Sequence, residues 1–209
     1  MLYEKVLNSI NEHSLIEGKK TVIAAVSGGA DSVCMLDIML NIGQRLGINI
    51  ECAHLNHNLR GEESDSDEAF VKKLCEKKNV KFHCKSVDVM ALANGISIED
   101  AARRARYDFF AELLNDVPDS VIATAHNAND NIETFFINLL RSCGTRGLCG
   151  IPRQRDGFIR PMLDITRQEI ISHLEKVKLS NLPTSDIILT SRQSRKRLFK
   201  KRKKKPQSF

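Results

Sequence analysis

The sequence predicts an α/β protein, a parallel twisted sheet with helices on both faces, and three observations carry that expectation. Val22, Ile23, Ala24, Ala25 and Val26 form an apolar run with no alternation, the pattern of a strand covered on both faces. Three further strand-length runs, at 48–55, 80–87 and 120–124, are each followed by a helical pattern. The second strand follows Gly47 at a short connection. Strands alternating with helices build β-α-β units with right-handed crossovers, and ligands of such sheets gather at the carboxyl ends of the strands.

Taken in order, residues 2–16 read as a short amphipathic helix, with Leu2, Val6 and Ile10 on one side. After the first strand come Ser27, Gly28, Gly29, Ala30, Asp31 and Ser32, then Val33, Leu36, Met39 and Leu40 at helical spacing. This helix is expected to reach Ile42 and stop near Gly43. The second strand leads to a polar stretch at 56–63 and an acidic helix at 64–77. The third leads to a loop and a helix at 98–114, and the fourth to a helix at 130–140. From Arg141 the composition changes to glycine, proline and scattered arginine, which predicts an ordered loop. A last helix is expected over 166–178, with Thr166 as cap and Glu169 completing a capping box. Beyond residue 183 little can be buried, so the chain divides into a domain at 1–183 and a basic tail at 184–209 without a fold of its own.

Composition narrows the class. With 42% hydrophobic and 28% charged residues over 209 positions, the chain suits one α/β domain. No apolar run is long enough to span a bilayer, and the first residues do not read as a signal peptide. Six cysteines stand singly with no C-x-x-C, the usage of reduced thiols, so a cytoplasmic location without membrane contact is expected. The net charge of +6 misleads, because residues 192–209 hold ten Lys/Arg and no Asp/Glu. Without them the chain is net acidic.

Strand, glycine turn and helix start together make an anion cradle. The first amides of the helix lack partners inside it, the helix dipole favours negative charge there, and glycine lets a phosphate approach the backbone. Ser27 and Ser32 could add hydroxyl donors. The loop is neither a Walker A, since no Gly-Lys-Ser/Thr follows, nor a dinucleotide fingerprint. A second constellation, A-T-A-H-N-A-N-D-N-I-E-T at 123–134, sets His126, Asp130, Glu133 and Thr134 just past a strand. Two carboxylates and an imidazole there suit Mg²⁺ beside a triphosphate or base chemistry on an amine. Acidic residues also simply favour a helix start. For Arg103 and Arg106 the choice lies between oxyanion binding and a solvated helix face. For His57 and Arg60 it lies between substrate contact and a polar surface loop.

The run S-G-G-x-D-S resembles the pyrophosphate loop of the N-type ATP pyrophosphatases, the PP-loop superfamily with its Rossmann-like, adenine nucleotide alpha hydrolase-like fold. A-T-A-H-x-x-x-D-x-x-E-T resembles the signature of tRNA(Ile)-lysidine synthetases. Asn56 to Arg60, residues 99–107 with Arg103, Arg106 and Tyr107, the glycine-rich 139–152, and Ile159, Arg160, Pro161 and Met162 resemble other segments of that family, in family order. The resemblance covers about residues 20–178. It implies a carbon–nitrogen ligase that uses ATP and Mg²⁺ to adenylate C2 of the wobble cytidine in a tRNA(Ile) with a CAU anticodon. L-lysine then displaces AMP, so that the anticodon reads AUA instead of AUG.

On this resemblance residues 27–32 bind ATP, Asp31, Asp130 and Glu133 are catalytic, and Asp31 and Asp130 hold Mg²⁺. His57, Arg60, Arg103, Arg106 and His126 contact substrate or tRNA. Asn56, Asn127, Asn131, Cys143 and Cys149 depart from the family's usual residues. The segment after about 184 departs altogether and reads as a shifted frame, a truncated gene or a degenerate copy, whose lysines could still grip tRNA phosphates in a salt-dependent way. Two other readings stay open, an ATP- or tRNA-binding remnant without turnover and a tRNA thiolase of the same superfamily. The oligomeric state is open too, a homodimer included, with no heptad or apolar stripe arguing for one.

Overall fold

A computed structural model describes residues 2–59, 62–141 and 149–181. Arg60, the cysteine at 143 and the tail at 184–209 therefore lie outside the described residues. Six strands form one sheet in the order β3-β2-β1-β4-β6-β5. They are β1 (Thr21–Ala25), β2 (Asn49–Asn56), β3 (Lys81–Ser86), β4 (Ser120–Ala123), β5 (Gln154–Arg155) and β6 (Phe158–Ile159). All neighbouring pairs are parallel except β5 with β6. The first strand is central, paired with β2 from Thr21 opposite Asn49 and with β4 from Thr21 opposite Ser120.

Its sequence pattern has a direct cause. Val22 and Ala24 face a core shared with α1 (Leu2–Glu12), α2 (Ala30–Leu46), α3 (Glu62–Lys78) and α7 (Arg167–Asn181). Ile23 faces the opposite core, where Phe109, Phe110 and Leu113 of α5 (Ile98–Asp116) cover the sheet with Ile122 and Phe158. Both faces are covered, which accounts for the unbroken apolar run from Val22 to Ala25. The short α4 (Val89–Leu92) precedes α5, and α6 (Ala128–Leu140) follows β4.

Two expectations are corrected. The helix α2 does not stop at Gly43 but runs to Leu46, where Gly47 closes it in the left-handed region at φ 68°. Gly43 serves packing instead, for a Cβ there would lie 2.5 Å from Ile50 Cγ1 and 2.7 Å from the Ile48 carbonyl oxygen. Helix and returning strand touch where only glycine fits. The stretch after Arg141, expected to be loop throughout, contains the β5–β6 hairpin. Asp156 and Gly157 at its tip both have positive φ, 51° and 79°, as a two-residue turn matching strand twist requires. The capping box of α7 forms as expected, with Glu169 accepting from the Thr166 amide at 2.8 Å. No helix among the described residues is long and apolar enough to cross a membrane.

Candidate active site

The carboxyl ends of β1, β2 and β4 open into one cleft of about 730 Å³, within the range of small-molecule sites. At its centre the residues after β1 turn into α2. Gly28 holds φ at 85°, and Gly29 caps the helix with no side-chain acceptor, which leaves the helix start open to an external anion. The loop is held from within. Ser32 donates to the Gly29 carbonyl at 2.8 Å and accepts from the Ser27 amide at 3.1 Å, with the Ser27 hydroxyl 3.3 Å away. The Ser32 hydrogen is thus engaged in shaping the loop. From β2, buried His54 donates Nδ1–H to the Val26 carbonyl at 2.7 Å and fixes the strand end from which the loop departs.

Asp31, in the first turn of α2, faces the cleft. Its Oδ2 accepts from Arg167 Nη1 at 2.6 Å and lies 3.4 Å from Asn127 Nδ2. Asn127 is fully buried and caps α6, accepting from the Asn129 and Asp130 amides while Asp130 Oδ2 accepts from the Asn127 amide. One asparagine therefore joins the start of α6 to the start of α2. The reciprocal cap also holds Asp130 at the cleft wall.

On the far side His57 and Arg106 meet, with Arg106 Nη2 donating to His57 Nε2 at 3.3 Å. Desolvation, with the Arg106 and His54 charges, pushes the His57 pKa down to about 4, so the ring is neutral and carries its hydrogen on a buried Nδ1. Arg106 is an exposed residue as a whole, and desolvation lowers the pKa of its guanidinium. His126 stands 3.0 Å from the Thr124 hydroxyl. Its pKa is held down by desolvation first, then by Arg160, a buried arginine bonded to the Pro152 carbonyl at 2.6 Å.

The fold thus brings Ser27, Gly29, Ala30, Asp31, Ser32, His57, Arg106, His126 and Asp130 to one cleft. Glu133 and Arg103 are not among the residues lining it. Glu133 is exposed, one turn further along α6 than Asp130, and Arg103 lies over the Tyr107 ring at 5.4 Å. Sequence reasoning did not single out Arg167, His54 or Asp67. The last of these brings a carboxylate oxygen to 3.3 Å from where a Cβ on Gly28 would lie. No spacing rule links 167 to 31, and only the docking of α7 joins them.

The cleft offers an open helix start, guanidinium groups, neutral imidazoles and carboxylates. Mg²⁺ keeps much of its water and takes one or two carboxylates together with phosphate oxygens. Asp31 and Asp130 supply two carboxylates to the cleft, and no group of three or more ligating side chains occurs among the described residues.

Residues 2–183 match the PP-loop domain family. The tRNA(Ile)-lysidine synthase of Clostridium acetobutylicum is 43% identical over 177 residues, 83% of this chain and 38% of that protein. That of Porphyromonas gingivalis is 43% identical over 183 residues, 86% of this chain and 39% of that protein. The chain spans about two fifths of the length of these curated relatives. Among solved structures, the U34-tRNA thiolase NcsA from Methanococcus maripaludis aligns over 88% of this chain and 66% of its own, with a TM-score of 0.68 at 18% identity. The NH3-dependent NAD synthetase of Campylobacter jejuni aligns over 100% of this chain and 97% of its own, with a TM-score of 0.54 at 16% identity. At such identities the likeness is one of fold.

Proposed function

Because the chain belongs to the PP-loop domain family, we propose that its cleft cleaves ATP to AMP and pyrophosphate and forms lysidine in tRNA(Ile). The observation that carries this reading is the S-G-G-x-D-S loop at an open helix start, with Asp31 and Asp130 in the same cleft. The names and identities of the curated relatives support the choice of acceptor and amine.

ATP lies with its phosphates against the amides at the start of α2. The C2 carbonyl oxygen of the wobble cytidine, in a CAU anticodon, attacks the α-phosphorus and pyrophosphate leaves. The lysine ε-amine then attacks C2, AMP leaves, and a carbon–nitrogen bond replaces the carbon–oxygen bond. Asp31 and Asp130 would hold Mg²⁺, which when bound offsets the charge of the phosphate oxygens. An ammonium is not a nucleophile, so a carboxylate must take a proton from it. Asp130 at the cleft wall and Glu133 one turn away are the groups for that step. Neutral His57 and His126, with Arg106, contact the nucleotide base or its phosphate. Arg103 and Arg60 are further cationic contacts for the tRNA, and the lysine-rich segment at 192–209 adds sequence-independent grip.

The test is transfer of labelled lysine into a tRNA(Ile) transcript with a CAU anticodon, given ATP and Mg²⁺. Transfer that depends on the anticodon cytidine is the expected result, and Asp130→Asn should abolish it. ATP binding without transfer would favour a nucleotide-binding protein without turnover. Absence of ATP binding would overturn both.

A further inference from the structure

The ion pair between Arg167 and Asp31 sets an arginine beside the phosphate loop, and it points to a role for that arginine beyond holding α7. Arg167 Nη1 lies 2.6 Å from Asp31 Oδ2, and both side chains are largely shielded, at 28% and 23% exposure. Asn127 Nδ2 approaches the same oxygen at 3.4 Å. The backbone of Arg167 is pinned, for its amide donates to Asn129 Oδ1 at 2.9 Å and the capping box fixes the residue before it. Lys5 adds a tie from α1, bonding Glu169 at 2.8 Å. The main chain stays in place while the long side chain can redirect its head.

Charge gives the redirection a reason. A carboxylate in the first turn of α2 stands where a polyphosphate must approach, and the two repel. In the ligand-free chain Arg167 answers the charge of Asp31. Once a Mg²⁺–nucleotide occupies that carboxylate, the guanidinium is displaced beside the phosphate oxygens, which its planar fork fits in bidentate fashion. We propose that Arg167 is a phosphate-binding residue, masked by Asp31 in the free chain and transferred to the β- and γ-phosphates when Mg²⁺–ATP enters. It then holds the pyrophosphate as that group departs. This deepens the reading of the cleft as a nucleotide site and rests on it.

The experiment is calorimetric titration of the full chain, as wild type, Arg167→Gln and Arg167→Lys, with inorganic pyrophosphate plus Mg²⁺, Mg²⁺–ATP, and AMP. The wild type should bind all three. Arg167→Gln should weaken pyrophosphate and Mg²⁺–ATP by about tenfold to a hundredfold, the range of a charge-assisted contact. AMP should change by less than about twofold, because it lacks the phosphates concerned. Arg167→Lys, which keeps the charge without the fork, should fall between and guards against loss of folding in the glutamine variant. Unchanged pyrophosphate affinity in both variants would overturn the proposal alone. Equal weakening of AMP and pyrophosphate would also overturn it, marking a structural role. A wild type that binds neither ATP nor pyrophosphate would overturn the nucleotide reading with it.

Discussion

Two helices of this protein stand alike beside the cleft and differ in what covers them. Each follows a parallel strand, starts beside the cleft and is rich in apolar residues. Ten residues of α2 are buried, among them Met35, Met39 and Ile42, whereas no residue of α6 is. The cause is placement. α2 lies between the sheet and α1 and α7, while α6 carries Ile132, Phe136 and Leu140 at 56%, 55% and 83% exposure. Apolar content records that a face can be covered. It does not say that this domain covers it.

The contrast predicts unequal costs for similar substitutions. Met39→Ala should lose about 2–5 kcal/mol, as expected for emptying a fully buried site, measured by denaturant unfolding. A loss below 1 kcal/mol would mean that α2 is not the helix on which the core rests. Asn127→Ala should cost about 1–2 kcal/mol, because it removes the cap of α6 and the link to Asp31. Since buried Asn127 stands just before a helix with no buried residue, it should matter more than the residues of that helix.

Acid should come next. The Lys5 ammonium, with the Thr166 amide and hydroxyl, holds the Glu169 pKa at about 2 against its usual 4.5. A lowered carboxylate pKa stabilises the fold in full above 4.5, and the contribution is lost as pH falls through about 2. Glu169 is partly exposed, so solvent screening keeps the effect below about 1 kcal/mol. Thermal melts of the wild type and Glu169→Gln should therefore converge between pH 4.5 and pH 2, and a constant gap would remove the ion pair from the account. Phe136→Ser should be the mildest, within about 0.5 kcal/mol, since little is uncovered by losing an exposed ring. A large loss there would show that something covers α6 in solution.

The same contrast explains what could be read from the chain. The first strand, its glycine turn and the start of α2 are legible because their constraints are local, whereas Gly43, set by its packing on Ile48 and Ile50, does not end the helix. A strand covered on both faces favours an unbroken apolar run, here Val22 to Ala25, and the turn needs its glycine at Gly28. The β5–β6 hairpin was overlooked because two-residue strands carry no periodicity, although Asp156-Gly157 is the usual signal of such a turn. The exposed apolar side of α6 was not singled out from the sequence. In the site, residues next to strand ends were found from sequence. The partnership of Asp31 with Arg167 was not, because nothing in either segment refers to the other. Glu133 was placed with Asp130 by helical spacing, which says that two residues share a side but not how far that side reaches into a cleft.

That partnership has a thermodynamic consequence. Asp31 and Arg167 are 136 positions apart, so the cleft is complete only when almost the whole domain has assembled. A ligand of this cleft binds the native state and leaves the unfolded chain untouched. Present at a hundred times its dissociation constant, it would add about 2.7 kcal/mol to the unfolding free energy. The melting temperature then becomes a binding signal, and candidate nucleotides can be ranked by heating the protein with each of them.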